Sequence, residues 1–297
     1  MKRLNKLVEK RLLKNLVKAS QDFHLIEPHD KIMVCMSGGK DSYAMLHLMQ
    51  IAQRRAPFPF EIVAVNLDQG HPGFDGSILE RHFEKVGVQY KMLTKDTHSI
   101  VKEKIPAGKA YCSLCSRLRR GILYTAAQEL GCNKLALGHH RDDILQTLML
   151  NLLYSGQLKG MPIRLHADDG KNVVIRPLAY CAEEDIEVLR DQQSFPIIPC
   201  NLCGSQENLK RQKVKALINK LNDENPHVKG NMFNALRNVK PSHLLDASLF
   251  DVLTESAQVS EDPDAHLVGP RDAAINKGDA VQHQFSVQNM HHAMETK

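Results

Sequence analysis

The chain has 297 residues, 42% hydrophobic and 25% charged, with a formal net charge of +5 and seven cysteines. That is the composition of a soluble globular protein with room for one large domain and appendages. No apolar run approaches the roughly 20 residues of a membrane span, and the basic N-terminus has no apolar signal core. Membrane and secreted classes are set aside, and a cytoplasmic location is expected. The lysine-dominated, serine-poor start argues equally against a mitochondrial transit peptide.

In chain order, residues 1–21 read as a basic amphipathic helix. Leu4, Leu7, Val8, Leu12 and Leu16 recur at helical spacing, and the first 20 residues carry seven Lys/Arg against the single acid Glu9. Such a face suits a phosphate backbone, which is read by charge, or simply faces water. The run Ile32–Met36 reads as a strand feeding Ser37-Gly38-Gly39-Lys40-Asp41-Ser42, with a helix expected from about Asp41 to Arg54. The glycines let backbone N–H groups approach an anion without a Cβ in the way. A helix start adds unpaired N–H groups and the positive end of its dipole. The loop is therefore expected to hold nucleotide phosphates. It lacks both the Walker A spacing and the dinucleotide fingerprint. It resembles the S-G-G-x-D-S loop of the PP-loop ATP pyrophosphatases, which implies a clamp on β,γ-pyrophosphate and transfer of AMP to a substrate oxygen.

Further on, Glu61–Asp68 reads as a strand, Ile78–Val86 as a helix and Gln89–Leu93 as a strand. Leu114–Leu130 is helical, Lys134–Leu137 a buried strand and Asp142–Leu153 a helix. This alternation predicts an α/β fold, a parallel sheet with helices on both faces. The resemblance makes it a Rossmann-like sheet of the PP-loop ATPase type with helical additions at both ends. Ligands of such sheets sit at the carboxyl ends of strands. The glycine loop, Asp68 and Gly138-His139-His140 all fall at such ends and are expected to converge on one crevice. A helix over about Ala182–Gln193, a proline-punctuated segment Pro196–Cys203 and two basic helical stretches, Ser205–Asn222 and His227–Val239, follow. From residue 251 to 297 the chain has eight acids, three bases and no period, and is expected to be disordered. The expected division is 1–21, 22–200, 201–250 and 251–297, the second cysteine pair starting the third part.

Four cysteines form the pairs Cys112-x-x-Cys115 and Cys200-x-x-Cys203. Disulfide stapling is disfavoured by the odd cysteine count and the missing signal. Structural zinc, an iron–sulfur cluster and a redox dithiol all accept such pairs. Cys112 and Cys115 open a helix with Arg117, Arg119 and Arg120 nearby, an electropositive setting that lowers thiol pKa. Cys35, Cys132 and Cys181 stand alone in apolar surroundings and are expected to pack.

The segment Gly138-His139-His140-Arg141-Asp142-Asp143-Ile144-Leu145-Gln146-Thr147, taken with the loop and both cysteine pairs, resembles the tRNA 2-thiocytidine synthetase family over residues 1–245. Lysidine synthases share the loop and a similar histidine–aspartate segment but lack the cysteine pairs. Archaeal-type 2-thiouridine enzymes add terminal zinc-finger pairs, and the N-terminus here has none. The resemblance implies a [4Fe-4S] cluster on three cysteines, Cys112, Cys115 and Cys203 (Cys200 being the competitor for the third place), with one iron free to carry sulfur. It implies ATP and Mg²⁺ as cofactors and a cytidine whose C2 oxygen is adenylated and then replaced by sulfur.

The residues assigned to the nucleotide are Ser37, Gly38, Gly39, Lys40, Asp41, Ser42, Asp68, Gly138 and Asp143. Asp41 has a catalytic or metal role, its plain alternative being a helix cap. Asp142 shapes the site beside Asp143, and His139 and His140 contact nucleotide or RNA or else pack. The implied partners are a tRNA anticodon loop, a cysteine desulfurase and a second copy of the chain. Lys210, Arg211, Lys213 and Lys215 are candidate RNA contacts. Competing readings are a PP-loop amide-forming ligase of the lysidine kind and a zinc-clipped RNA-binding protein without catalysis.

Overall fold

Of the runs anticipated as strands, Ile32–Met36, Glu61–Asp68 and Lys134–Leu137 are mostly buried, as the middle of a parallel sheet covered on both faces requires, while Gln89–Leu93 at the edge is half-exposed. The computed structural model describes residues 2–70, 73–97, 112–167, 170–198, 206–247 and 249. The chain divides into two units, Met1–Val239 and Lys240–Lys297. In the second, the described part includes a single 3₁₀ turn, Pro241–His243; the tail predicted to be disordered lies outside the described residues.

In the first unit the order is α1 (Lys2–Phe23), β1 (Lys31–Met36), α2 (Lys40–Arg55), β2 (Glu61–Asp68), α3 (Ser77–Val86), β3 (Gln89–Thr94), α4 (Cys112–Glu129), β4 (Lys134–Ala136) and α5 (Arg141–Tyr154). Then come β5 (Arg164–His166), β6 (Val173–Ile175), α6 (Glu183–Gln193), α7 (Gln206–Glu224) and α8 (Val228–Ala235). The sheet runs β3-β2-β1-β4-β6-β5, parallel throughout except for the edge strand β5.

Alternation along each strand sorts the core into two layers. Ile32, Val34 and Met36 of β1 and Ile62 and Ala64 of β2 face one layer, with Leu12 and Leu16 of α1, Leu46 and Met49 of α2, Phe83 of α3 and Leu189 of α6. Met33, Val63, Val65 and Leu135 face the other layer, against Leu123, Ala126 and Ala127 of α4. A third cluster seats Leu145 of α5 on Val214 and Ile218 of α7. No helix among the described residues is long and apolar enough to cross a membrane.

The first helix has the expected amphipathic form with one correction. Val8, Leu12, Leu13, Leu16 and Ala19 are buried, while Leu7 is on the exposed side. Below the sheet, at the amino ends of the strands, Lys134 is almost fully buried. Its Nζ lies 2.7 Å from both Glu27 and Asp30, and Asn133 donates to Asp30 at 2.7 Å. That cluster ties the entrance to β1 to the entrance to β4.

Strand order reverses between β1 and β4. The chain winds outward from β1 through β2 to β3, then returns to place β4 on the other side of β1. A crevice opens above such a switch point, at the carboxyl ends of the strands.

Candidate active site

Two loops meet over the β1/β4 switch point. The first leaves β1 at Ser37 and enters α2 at Lys40. Ser42 Oγ donates to Gly39 O at 2.8 Å, Ser37 N donates to Ser42 Oγ at 3.3 Å, and Gly39 N donates to Ser37 Oγ at 3.3 Å. The two hydroxyls therefore knit the loop into a fixed cradle. Gly38 has φ +80°, and a Cβ there would sit 3.0 Å from Ile198 Cδ1. Glycine is needed for the backbone conformation and for the neighbour alike. Gly39 stands at the N-cap of α2 with no side-chain cap, so the helix start is left to a ligand.

The second loop leaves β4 and enters α5. A Cβ on Gly138 would lie 3.2 Å from the backbone C of Asp41 and the backbone N of Ser42; the two loops approach main chain to main chain, and any larger residue would have to push them apart by a few tenths of an ångström. His140 follows, 3% exposed. Its Nε2 lies 3.6 Å from Asp41 Oδ1 and 3.5 Å from Asp143 Oδ2, and its Nδ1 is buried without a hydrogen-bond partner among the described residues. Asp143 Oδ2 accepts from the His140 N–H at 3.1 Å, holding the first turn of α5 in place. His139 Nδ1 accepts from Arg176 Nε at 3.3 Å. Burial, with Arg176 adding to it, pulls the His139 pKa down to about 4, so the ring is neutral at pH 7.

Each acid of the site has a basic partner. Lys40 Nζ lies 2.9 Å from Asp41 and 3.1 Å from Glu183. Burial pulls the ammonium down, but the two carboxylates outweigh it and hold Lys40 above its ordinary pKa. Asp142, nearly buried, sits 3.1 Å from Lys229 of α8 and accepts from the Glu183 N–H at 2.9 Å. Asp143 Oδ1 lies 3.7 Å from Arg211, and Glu183 Oε2 lies 2.8 Å from Lys215, both bases on α7. The last two helices thus close over the crevice through ion pairs with α5 and α6.

The structure brings Ser37, Gly38, Gly39, Lys40, Asp41 and Ser42 together with Gly138, His140 and Asp143. Asp68 ends the adjacent strand but closes its own turn, accepting from Gly70 N at 2.9 Å, and shares no hydrogen bond with the loop among the described residues. Glu183, Arg176 and Lys229 are the site residues the sequence reading missed. The acidic cluster Glu183-Glu184-Asp185 at a helix start was the one available signal for the first; nothing local marks the other two. Lys215 and Arg211, singled out as candidate RNA contacts, also lie within ion-pair distance of the site carboxylates Glu183 and Asp143.

Cys112 and Cys115 fall in the first turn of α4, but their side chains, like all of Cys200 and Cys203, lie outside the described residues. Helix α4 joins the start of β4 through residues 130–133, and its Leu123, Ala126 and Ala127 pack against Met33, Val63, Val65 and Leu135 of the sheet. On the other side, Ile198 N donates to Gly38 O at 3.0 Å and Tyr43 Oη donates to Pro196 O at 3.0 Å. These bonds fasten the segment ahead of Cys200 onto the phosphate loop. The remaining cysteines are packed thiols as expected: burial pushes Cys35 up to about 12 and raises Cys132 and Cys181 too, which makes them poor nucleophiles.

Residues 4–201 match the PP-loop domain family ATP_bind_3. The chain is 57% identical over 251 residues to the tRNA-cytidine(32) 2-sulfurtransferase of Anaeromyxobacter sp. (strain Fw109-5), covering 84% of this chain and 83% of that one. It is 59% identical over 248 residues to the enzyme of the same name from Erwinia tasmaniensis, covering 84% and 80%. Among solved structures, U34-tRNA thiolase NcsA from Methanococcus maripaludis, determined with its [4Fe-4S] cluster, superimposes with a TM-score of 0.65 at 21% identity, covering 80% of this chain and 81% of that one. That likeness is one of fold. The chain belongs to the PP-loop domain family and, within it, to the family of the tRNA-cytidine(32) 2-sulfurtransferases.

Proposed function

We propose that the chain thiolates a tRNA cytidine in two stages at this crevice: ATP adenylates the C2 oxygen, and sulfur then replaces it with loss of AMP. The observation that carries the reading is the uncapped start of α2, flanked by a charged Lys40 and pressed against Gly138. An oxygen doubly bonded to C2 is a poor leaving group; esterified to AMP, it departs with the phosphate.

The chain's own groups account for the first stage. The N–H groups of the Gly38–Lys40 turn and the dipole of α2 face the β,γ-pyrophosphate. Lys40, already held charged, would shift its ion pair from Asp41 and Glu183 to the departing pyrophosphate. Asp41 is the carboxylate in the crevice with room for a cation, its side chain 32% exposed against 6% for Asp142. It would hold Mg²⁺, which offsets polyphosphate charge. Buried His140 lies between Asp41 and Asp143, 3.6 and 3.5 Å from their carboxylates, and would position both. Neutral His139, propped by Arg176, is available at the crevice wall as a hydrogen-bonding ring.

For the second stage, Cys112, Cys115 and Cys203 would hold a [4Fe-4S] cluster. Thiolates are the donors such clusters require; the first pair opens α4, and Ile198, two residues ahead of Cys200 in the sequence, is bonded to Gly38 of the phosphate loop. When bound, the cluster supplies an open iron at which sulfur can be carried. The anticodon loop of tRNA is the proposed substrate site, a cysteine desulfurase the sulfur source and a homodimer the assembly. The test is Cys112→Ala in the full chain: thiolation is expected to be abolished while ATP binding persists. A variant that still thiolates tRNA removes the cluster from the reading.

A further inference from the structure

Glu183 touches both halves of the site. Its Oε1 lies 3.1 Å from Lys40 of the phosphate loop and its Oε2 lies 2.8 Å from Lys215 of α7. The Glu183 main chain is pinned by Asp142 Oδ2 at 2.9 Å, so the carboxylate projects from the fixed first turn of a helix. It is 14% exposed and Lys40 is 20% exposed, so that pair is shielded more than an ordinary surface pair, while Lys215, at 44%, lies toward solvent. Burial pushes the Glu183 carboxyl up, yet Lys215 and Lys40 outweigh it and keep it ionised. On α7, Arg211 and Lys215 are four residues apart and therefore share one face, and Arg211 reaches Asp143. Helix α7 begins three residues after Cys203, a separation of at most about 11 Å along the chain.

We infer that Glu183 is a positioning residue that couples nucleotide occupancy of the phosphate loop to the seating of α7. Without nucleotide, Glu183 divides its charge between Lys40 and Lys215. A polyphosphate on the loop competes for Lys40, and the carboxylate then pairs with Lys215 alone. A ligand shifts an equilibrium only through such a difference in interaction; here the difference is one ion pair exchanged and another tightened. The consequence is order in time: α7 is drawn onto the site when ATP is present, so the crevice is closed by its basic face when an oxygen is being made ready to leave. The inference rests on ATP binding at the Ser37–Ser42 loop, as proposed above.

Hydrogen exchange of the full-length protein with and without Mg-ATP reads both ends at once. ATP is expected to protect the Ser37–Ser42 loop and to slow exchange over residues 209–221 by about three-fold. In Lys215→Met the loop remains protected by ATP and the change in α7 disappears; Lys215→Arg restores it. Glu183→Gln likewise removes the α7 response. Loop protection with no change in α7 of the wild type, or an unaltered α7 response in Lys215→Met, overturns the coupling while leaving the nucleotide site standing. Absence of loop protection overturns both.

Discussion

The six residues of the phosphate loop act on one another, and for that reason they were readable. Ser37 and Ser42 bond across the turn, Gly38 adopts the positive φ, and Gly39 opens the helix. None of these relations reaches more than five positions along the chain. Glu183 was not readable as part of the same site, because it lies 143 positions from Lys40 and locally looks only like a favourable acid in a first helical turn. Gly38→Ala forces a side chain into the left-handed region and onto Ile198. It should cost roughly 1–2 kcal/mol of stability, checked by urea unfolding, and should weaken ATP binding. His139 gives a pH signature. Its folded pKa is depressed to about 4 from near 6.5, so between those values the unfolded chain binds a proton the folded chain does not. Stability therefore falls as pH drops through that window. Thermal midpoints measured from pH 7 to 4 should decline less steeply in His139→Gln than in the wild type.

Among the elements, those with a full period were legible: α2, β2, α3 and α5 lie within a residue or two of their expected bounds. Strands β5 and β6, three residues each, were missed; β4 is equally short but is buried throughout and reads as part of an apolar run, whereas β5 carries Arg164 and His166 and is half-exposed or exposed. Lys134 shows a different limit. The run Lys134–Leu137 reads as a buried strand, and its leading lysine is indeed buried, but only because Asp30 and Glu27 come from a turn a hundred positions away. Removing one partner from such a cluster leaves the other charge uncompensated. Lys134→Ala should therefore destabilise the fold by about 3–5 kcal/mol, read as a lower urea midpoint. Because the cluster lies at the amino ends of the strands, ATP affinity of the folded fraction should be unchanged.

For the whole molecule, the doubly covered sheet and its switch point followed from the order of apolar runs, because parallel pairing forces the crossovers and the crossovers force the crevice. The closing of α7 and α8 over that crevice did not follow. Their basic residues suggested RNA, whereas Lys215 and Lys229 are held by site carboxylates; charge alone does not say whether its partner is a phosphate or an aspartate. The exposed lysines of α1, including Lys6, Lys10 and Lys14, are a basic surface proposed to meet RNA. Reversing Lys10 and Lys14 to Glu should weaken tRNA binding and lower its salt dependence by one to two phosphate contacts, about one logarithmic unit in slope for each.

The central claim is that adenylation and sulfur insertion are successive halves of one reaction on this chain. An anaerobic reaction with ATP, a sulfur source and tRNA, in which AMP release and 2-thiocytidine are counted together, tests it most directly. The account predicts one AMP for each 2-thiocytidine formed by the wild type, and neither product above background in Gly38→Asp. Formation of 2-thiocytidine without AMP, or AMP formation on tRNA with no thionucleoside in a protein reconstituted with iron and sulfide, would contradict it.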